Sequence, residues 1–503
     1  MGTSPHSLVT VTSDTEGSVP RRRTRGTSSR RRRKVLFVTT EITDFVKTGG
    51  LGDVSATLPR ALRATQDVRL LIPGYSSLLA QCGPVRKVGW IHGRDGLPAC
   101  NIGEITREDG LKILVLLHPA LYERDGTPYE AGNGHQWADN GLRFATLSSA
   151  AADIASGQAG MRWRPHVVHL NDWPSALTAA YLKWRNSSVP SVLTIHNLAY
   201  QGLFPHALRE RLGMPADPAL EFHGKLSFLR AGLAHADYLT TVSPHYAEQI
   251  TAPADGCGLD ALLRHRAAQG RLLGVVNGID ASWDPRTDPS LAERFGINQW
   301  ERRAHNATAV REEFALQAGS GPLFSLVARL VHQKGVDLVC ETAHQIVAAG
   351  GQIAIIGRGQ PHLERRVTEL ARRFNGQVSA KVGFAEDTAR RMFAGSDFLL
   401  MPSRFEPCGL SQMYAQTYGS LPIAHATGGL VDTIDDGING LLFDQATVPS
   451  LRRALQRAFR IYGEPRLHNA MRHAAMAQDH SWVAPCARYV ALYERMAPLR
   501  AVA

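Results

Sequence analysis

Short apolar, β-branched runs that recur with helical stretches between them constrain this chain more than any other feature. In the first half they are KVLFVTTEI (34–42), VRLLIP (68–73), ILVLL (113–117), VVHL (167–170), SVLTIHN (191–197), YLTTVS (238–243) and VVNGI (275–279). Their apolar character is continuous rather than alternating, which predicts parallel strands covered by helices on both faces. The rhythm breaks at the Pro- and Asp-rich WDPRTDP (283–289) and restarts with LFSLVARL (323–330), IAIIG (353–357), VSAKVGF (378–384), DFLLMPS (397–403), PIAHAT (422–427) and GLLF (440–443). With 503 residues, more than one hydrophobic core usually serves, the expected fold is α/β with two doubly wound, Rossmann-like domains and a cleft between them. The boundaries expected are a basic segment 1–33, a first domain 34–287, a second domain 288–480 and a terminal segment 481–503. In that last segment Trp482, Tyr489, Leu492, Tyr493 and Met496 recur at helical spacing, which predicts a helix that returns to the first domain.

Charge sharpens this reading once it is located. The net charge is +11, but nine of the 56 Lys and Arg lie in residues 1–34 against only Asp14 and Glu16, so the body is nearly neutral and no nucleic-acid surface is expected on it. The basic segment reads as a solvated extension or misplaced start, an organelle transit peptide, or a polyanion-binding arm. No apolar run approaches the ~20 residues of a membrane span. The six cysteines are widely spaced with no C-x-x-C pair, so neither a zinc site nor a disulfide framework is expected. A soluble, cytoplasmic protein is the expectation, with a plastid role for the tail as the lesser alternative.

In doubly wound folds the chemistry sits in loops beyond the carboxyl ends of strands. The first such loop carries Lys47, Gly49 and Gly50 where a helix opens near Leu51. Glycines and a helix N-terminus can cradle an anion, although the same pattern also makes a plain tight turn. In the second half, Arg329 and Lys334 leave a strand five residues apart and can address one diphosphate. Glu406 follows another strand and precedes Cys408, Gly409 and Leu410; a further glycine pair, Gly428 and Gly429, follows Thr427. His169, Asn171, Asp172, His196, Asn197 and Gln201 end first-domain strands and suit sugar hydroxyls, or are satisfied core groups. No D-x-D motif appears and H-x-N-D lacks further ligands, so no metal or other cofactor is expected; cationic side chains would take a metal's place at the departing diphosphate.

Together KTGGLGDV (47–54), ADNGLRF (138–144), HLNDW (169–173), TIHNLAYQG (194–202), EFHGKLSFLRAG (221–232), TVSPHYAEQI (241–250), VVNGID (275–280), RLVHQKG (329–335), PSRFEPCGL (402–410) and ATGGLVDT (426–433) closely resemble the bacterial glycogen synthase and plant starch synthase family, from about Lys34 to Tyr493. The resemblance implies a GT-B fold, ADP-glucose as donor, and transfer of glucose with retention to the non-reducing end of an α-1,4-glucan. By this match Lys47 holds the donor, Arg329 and Lys334 the phosphates, and Glu406 the donor sugar. Asp139, Asn277 and His196 line the glucose and acceptor side, and Thr427 and Gly428 the turn near the diphosphate. It further implies a same-face displacement in which ADP itself deprotonates the acceptor. Three positions depart from the family pattern: Asn171 stands where many members have His, Ala307 follows Asn306 in place of Lys, and His425 replaces a basic or apolar residue. Another retaining GT-B transferase with a small acceptor is the alternative. The residues themselves establish neither the ADP-against-UDP preference nor the oligomeric state.

Overall fold

The computed structural model describes residues 32–499 apart from Asn133. The basic segment up to residue 31 and residues 500–503 therefore lie outside the described residues. Strands of the first half are β1 (Lys34–Val38), β2 (Asp67–Pro73), β3 (Arg86–Ile91), β4 (Cys100–Thr106), β5 (Lys112–Leu117), β6 (Val167–Asn171), β7 (Ser191–Ile195), β8 (Leu203–Pro205), β9 (Glu221–Phe222), β10 (Lys225–Ser227), β11 (Tyr238–Thr241) and β12 (Leu272–Gly274). They build a nine-stranded sheet in the order β12-β11-β7-β6-β1-β2-β5-β4-β3, with β8, β10 and β9 in a small separate sheet. The second half holds β13 (Leu323–Val327), β14 (Gln352–Gly357), β15 (Val378–Val382), β16 (Phe398–Met401), β17 (Leu421–His425) and β18 (Leu441–Phe443), ordered β15-β14-β13-β16-β17-β18. All pairs of this second sheet are parallel. The mixed α/β architecture with two doubly wound sheets is as the apolar runs imply.

The edge of the first sheet departs from that expectation. β3 and β4 pair antiparallel with each other, and β4 pairs antiparallel with β5. β3, exposed at Arg86, Lys87 and Trp90, carries the signature of a half-covered edge, and in β4, buried from Ile102 to Ile105, Gly103 and Glu104 break the continuous apolar run that marks a parallel strand. The strand expected at 275–279 lies earlier, at β12; Val275 still donates to Thr241 O (2.8 Å), and beyond it the chain leaves the sheet.

That exit is the crossing between the halves. Ile279 N donates to His480 O (2.8 Å), and Gly278 packs on Trp482, so the outgoing and returning strands of chain touch. By Trp283 the chain is already seated on the second half: this ring lies 3.7 Å from that of Tyr414, nearly parallel, while Arg390 reaches Asp288 at 3.0 Å. The stretch 283–289 is thus a docked segment, and the crossing lies a few residues before it. The return is made by the helix Val483–Met496, whose Tyr489, Leu492 and Tyr493 join the core under the first sheet. Tyr493 Oη sits 2.6 Å from His169 Nδ1, and Thr194 Oγ1 2.7 Å from His169 Nε2. His169 is therefore a satisfied core group; burial pushes its imidazole down to about 3 and keeps it neutral.

Because Tyr493 is fully buried and also satisfies His169, Tyr493→Ala should destabilise the protein by about 3–5 kcal/mol. Calorimetry should register this as a lower midpoint in the transition that melts the first sheet.

Candidate active site

Each sheet reverses its winding once, and a crevice opens at the carboxyl ends where it does so. In the first sheet β1 stands between β2 and β6, so the reversal lies between β1 and β6; in the second it lies between β13 and β16. The loop after β1 carries Lys47, Gly49 and Gly50, and the residues after β6 are Asp172 and Trp173. The loop after β13 carries Arg329 and Lys334, and that after β16 carries Glu406, Cys408, Gly409 and Leu410. The strand order alone thus gathers two pairs of loops. The pairs meet across the cleft: a methyl group added to Gly50 would lie 3.8 Å from Leu410 Cδ1.

In the first-domain loop the anion nest is partly filled: Thr48 N and Gly49 N already have an acceptor, while Gly50 N has none among the described residues. Glu41, at the end of β1, accepts from Thr48 N (2.7 Å) and Gly49 N (3.0 Å) with one oxygen and from Tyr129 Oη (2.7 Å) with the other. Lys47 Nζ binds Asp53 (2.7 Å) and lies 5.9 Å from the ring centre of Phe384, a residue of the second domain that is 63% exposed. Glu41 and Phe384 are site features that the motif reading passes over. Glu41 stands inside an apolar strand run, and Phe384 ends the run VSAKVGF, where an aromatic residue reads as strand.

The second-domain half is built around one buried carboxylate. Lys334 Nζ (2.5 Å) and Ser403 Oγ (2.9 Å) both address Glu406 Oε2, and Oε1 has no partner among the described residues. Lys334 reaches this position because the turn His332–Lys334 ends at Gly335, with φ +65°, where a Cβ would stand 2.0 Å from Pro402 O. Only glycine lets that turn lie directly on the loop of Glu406. His425 gains a role here: its Nδ1–H donates to Ser403 O (2.8 Å), steadying the residue that holds Glu406. Arg329 is exposed, and its guanidinium has no partner among the described residues. The amides of Cys408, Gly409 and Leu410, just before the helix Ser411–Thr417, likewise have no acceptor there. Burial pushes the Cys408 thiol up to about 12, so it is a packed thiol and no nucleophile.

The expected anion nest at Gly428 and Gly429 is closed from within. Gly428 N donates to Gln249 Oε1 (3.1 Å), and Gly429 N to Glu406 O (3.1 Å). Thr427 Oγ1 also meets Gln249. Asn277 is buried against Cys408, with its Oδ1 lacking a partner. Asp139 is drawn elsewhere: both its oxygens are held by Arg124, at 2.9 and 2.7 Å. His196 Nε2 donates to Asn171 Oδ1 (2.9 Å), and burial pushes its imidazole down to about 3, leaving it neutral. Asn171 in turn donates to Val38 O (2.9 Å), tying β6 to β1. At the second departure from the family pattern, Asn306 keeps two hydrogen bonds to the Glu293 backbone, at 3.2 and 2.7 Å, with Ala307 beside it. Among the described residues no three His, Cys, Asp or Glu side chains converge as metal ligands, and no helix is long and apolar enough to cross a membrane.

Two doubly wound domains whose switch points share one cleft define the chain as a glycosyltransferase of GT-B architecture. Residues 34–265 match the family described as starch synthase catalytic domain, and 321–460 that described as glycosyl transferases group 1. The chain is 60% identical over 464 residues to the glycogen synthase of Xanthomonas campestris pv. campestris (strain 8004), covering 92% of this chain and 98% of that one. It is 55% identical to the glycogen synthase of Pseudomonas fluorescens over 92% of this chain and 90% of that one. Among solved structures, the catalytic domain of starch synthase IV from Arabidopsis thaliana, bound to ADP and acarbose, superposes with a TM-score of 0.81 at 29% identity, over 93% of this chain and all of that one. The chain belongs to the glycogen synthase and starch synthase family.

One carboxyl in the cleft gives a pH test. Asp172, at φ +53°, accepts from His196 N (2.7 Å) and Asn197 N (3.3 Å). Burial, with help from the charge of Glu41, nevertheless pushes it up from 3.8 to about 7. The folded protein therefore holds this proton more tightly than the unfolded chain, and its stabilising contribution falls as the pH rises from about 4 to about 7. Asp172→Asn keeps an oxygen for both amides and removes the charge. Its melting midpoint should exceed the parent's at pH 8, by about 2–4 °C for each ~1 kcal/mol relieved, and the difference should shrink away as the pH falls to about 4.

Proposed function

We propose that this enzyme is a glycogen synthase that transfers glucose from ADP-glucose to the 4-hydroxyl at the non-reducing end of an α-1,4-glucan, with retention and without a metal. The observation that carries the reading is the opposition of the two switch-point loops: Gly50, in the loop of Lys47, lies against Leu410, in the loop of the buried Glu406 that pairs with Lys334. The similarity to glycogen synthases over 92% of the chain and to a starch synthase bound to ADP and acarbose supplies the donor and acceptor classes. The six cysteines are all free, in keeping with our placing the reaction in a reducing cytoplasm.

In this reading the diphosphate lies between Lys47, Arg329 and Lys334, and the free amides of Cys408, Gly409 and Leu410 address the sugar–phosphate side of the donor. Phe384 offers its exposed ring to the nucleobase. The open oxygen of Glu406 faces the sugar, where it binds a hydroxyl and favours positive charge developing at C1. The C1–O bond to ADP breaks as the acceptor oxygen bonds to C1 on the same face, and the acceptor proton passes to the departing phosphate oxygen. Both halves must close on the donor, since the cations and the carboxylate come from different domains; closure excludes water and so prevents hydrolysis. His196 and Asn277 line the sugar side, His196 as an acceptor through its unprotonated Nδ1. Asp139 reaches the acceptor only if a bound glucan draws it from Arg124.

ADP release should depend on added glycogen, and ADP-glucose should be turned over in preference to UDP-glucose. Indifference of ADP release to glycogen would overturn the reading in favour of a small-acceptor transferase. Glu406→Ala should lower kcat by about 100-fold or more, the scale of losing a preorganised electrostatic group, in the same steady-state assay.

A further inference from the structure

The donor loop of the second domain is supported by a residue of the first. Gln249, half-buried at the end of the helix Pro244–Gln249, reaches the turn Thr427–Gly428. Its Oε1 accepts from Gly428 N (3.1 Å), and its Nε2 donates to Thr427 Oγ1 (3.2 Å). At the other end of this helix Asp432 accepts from Ser243 Oγ and from His245 N (3.1 Å), so the whole helix is fastened to residues 427–432. These contacts lie beside the crossing, where Val242 and Ile279 share a core with Leu430.

The turn passes this support to the catalytic loop. Gly428, with φ +47°, lies so close to Glu406 O that a Cβ would stand 2.0 Å from it, and a Cβ on Gly429 would stand 2.5 Å from Cys408 backbone atoms. Gly429 N also donates to the carbonyls of Glu406 (3.1 Å) and Pro407 (3.2 Å). An unbroken path of contacts thus runs from the first-domain helix through the turn to Glu406 and to the free amides of Cys408, Gly409 and Leu410.

We infer that Gln249 is a positioning residue for transfer: it holds the Thr427–Gly428 turn, which in turn sets the loop of Glu406. This rests on the functional reading above and extends it to a residue outside the cleft. Glucosyl transfer from ADP-glucose to glycogen, measured with the full chain, tests it. If the parent protein does not transfer glucose, the functional reading fails rather than this inference. Gln249→Met fills the same space without hydrogen bonds; its kcat should fall about three- to tenfold, the scale of one or two lost hydrogen bonds, with the KM for glycogen and the melting midpoint unchanged. Gln249→Glu keeps an acceptor for Gly428 N and should recover most of that loss. Parental kcat in Gln249→Met would overturn the inference. So would a faster or tighter-binding Gln249→Met, since Gln249 would then mask an amide that the diphosphate needs. A loss accompanied by a lower midpoint and not restored in Gln249→Glu would reduce the residue to a structural contact and equally overturn it.

Discussion

Parallel strands end on one edge of their sheet, and a doubly wound sheet must leave one gap along that edge where its winding reverses. Everything functional in this protein depends on that constraint being met twice. The gap between β1 and β6 and the gap between β13 and β16 admit loops without covering helices above them, so charged groups can stand there with one side in water and the other against the sheet. Lys334 and Glu406 illustrate the consequence. In the middle of a helical layer such a pair would bear the full cost of desolvation, whereas at the gap Glu406 keeps one oxygen bound by Lys334 and Ser403 and the other open to a ligand.

The loops at both gaps are preorganised by side chains that complete them. Glu41 fixes the amides of Thr48 and Gly49, Asp172 those of His196 and Asn197, and Gln249 that of Gly428. At Gly49 and Gly428 a backbone N–H that the glycine-rich pattern suggests is free for a ligand already has an acceptor. Among the described residues, those left open include the Arg329 guanidinium and the amides of Gly50, Cys408, Gly409 and Leu410. Holding most of the loop backbone leaves little reorganisation for the moment of reaction, the condition under which electrostatic stabilisation of a departing diphosphate is most effective.

Much of this was legible in the residues. Twelve of the thirteen continuous apolar runs coincide with strands, because strands buried on both faces leave no alternation to confuse. The β3–β4 hairpin and the small β8–β10 sheet were not legible, since short strands and strands interrupted by polar residues and glycine, as β4 is at Gly103 and Glu104, share their composition with loops. Lys47, Arg329, Lys334 and Glu406 could be singled out because charge beyond an apolar strand is conspicuous. Glu41, Phe384 and Gln249 could not: their partners lie between about 7 and 340 positions away along the chain.

The sequence by itself determined which elements form and where charge would collect, because hydrophobic period and strand-end chemistry are local properties. Only the tertiary structure decided which glycine amides are open, which histidines are core groups and which carboxylate is free. Those are questions of partner and burial. A hydrogen bond from His169 to Tyr493, 324 positions on, or from Gly428 back to Gln249, 179 positions before it, exists only once the two sheets have brought distant segments within about 3 Å of each other.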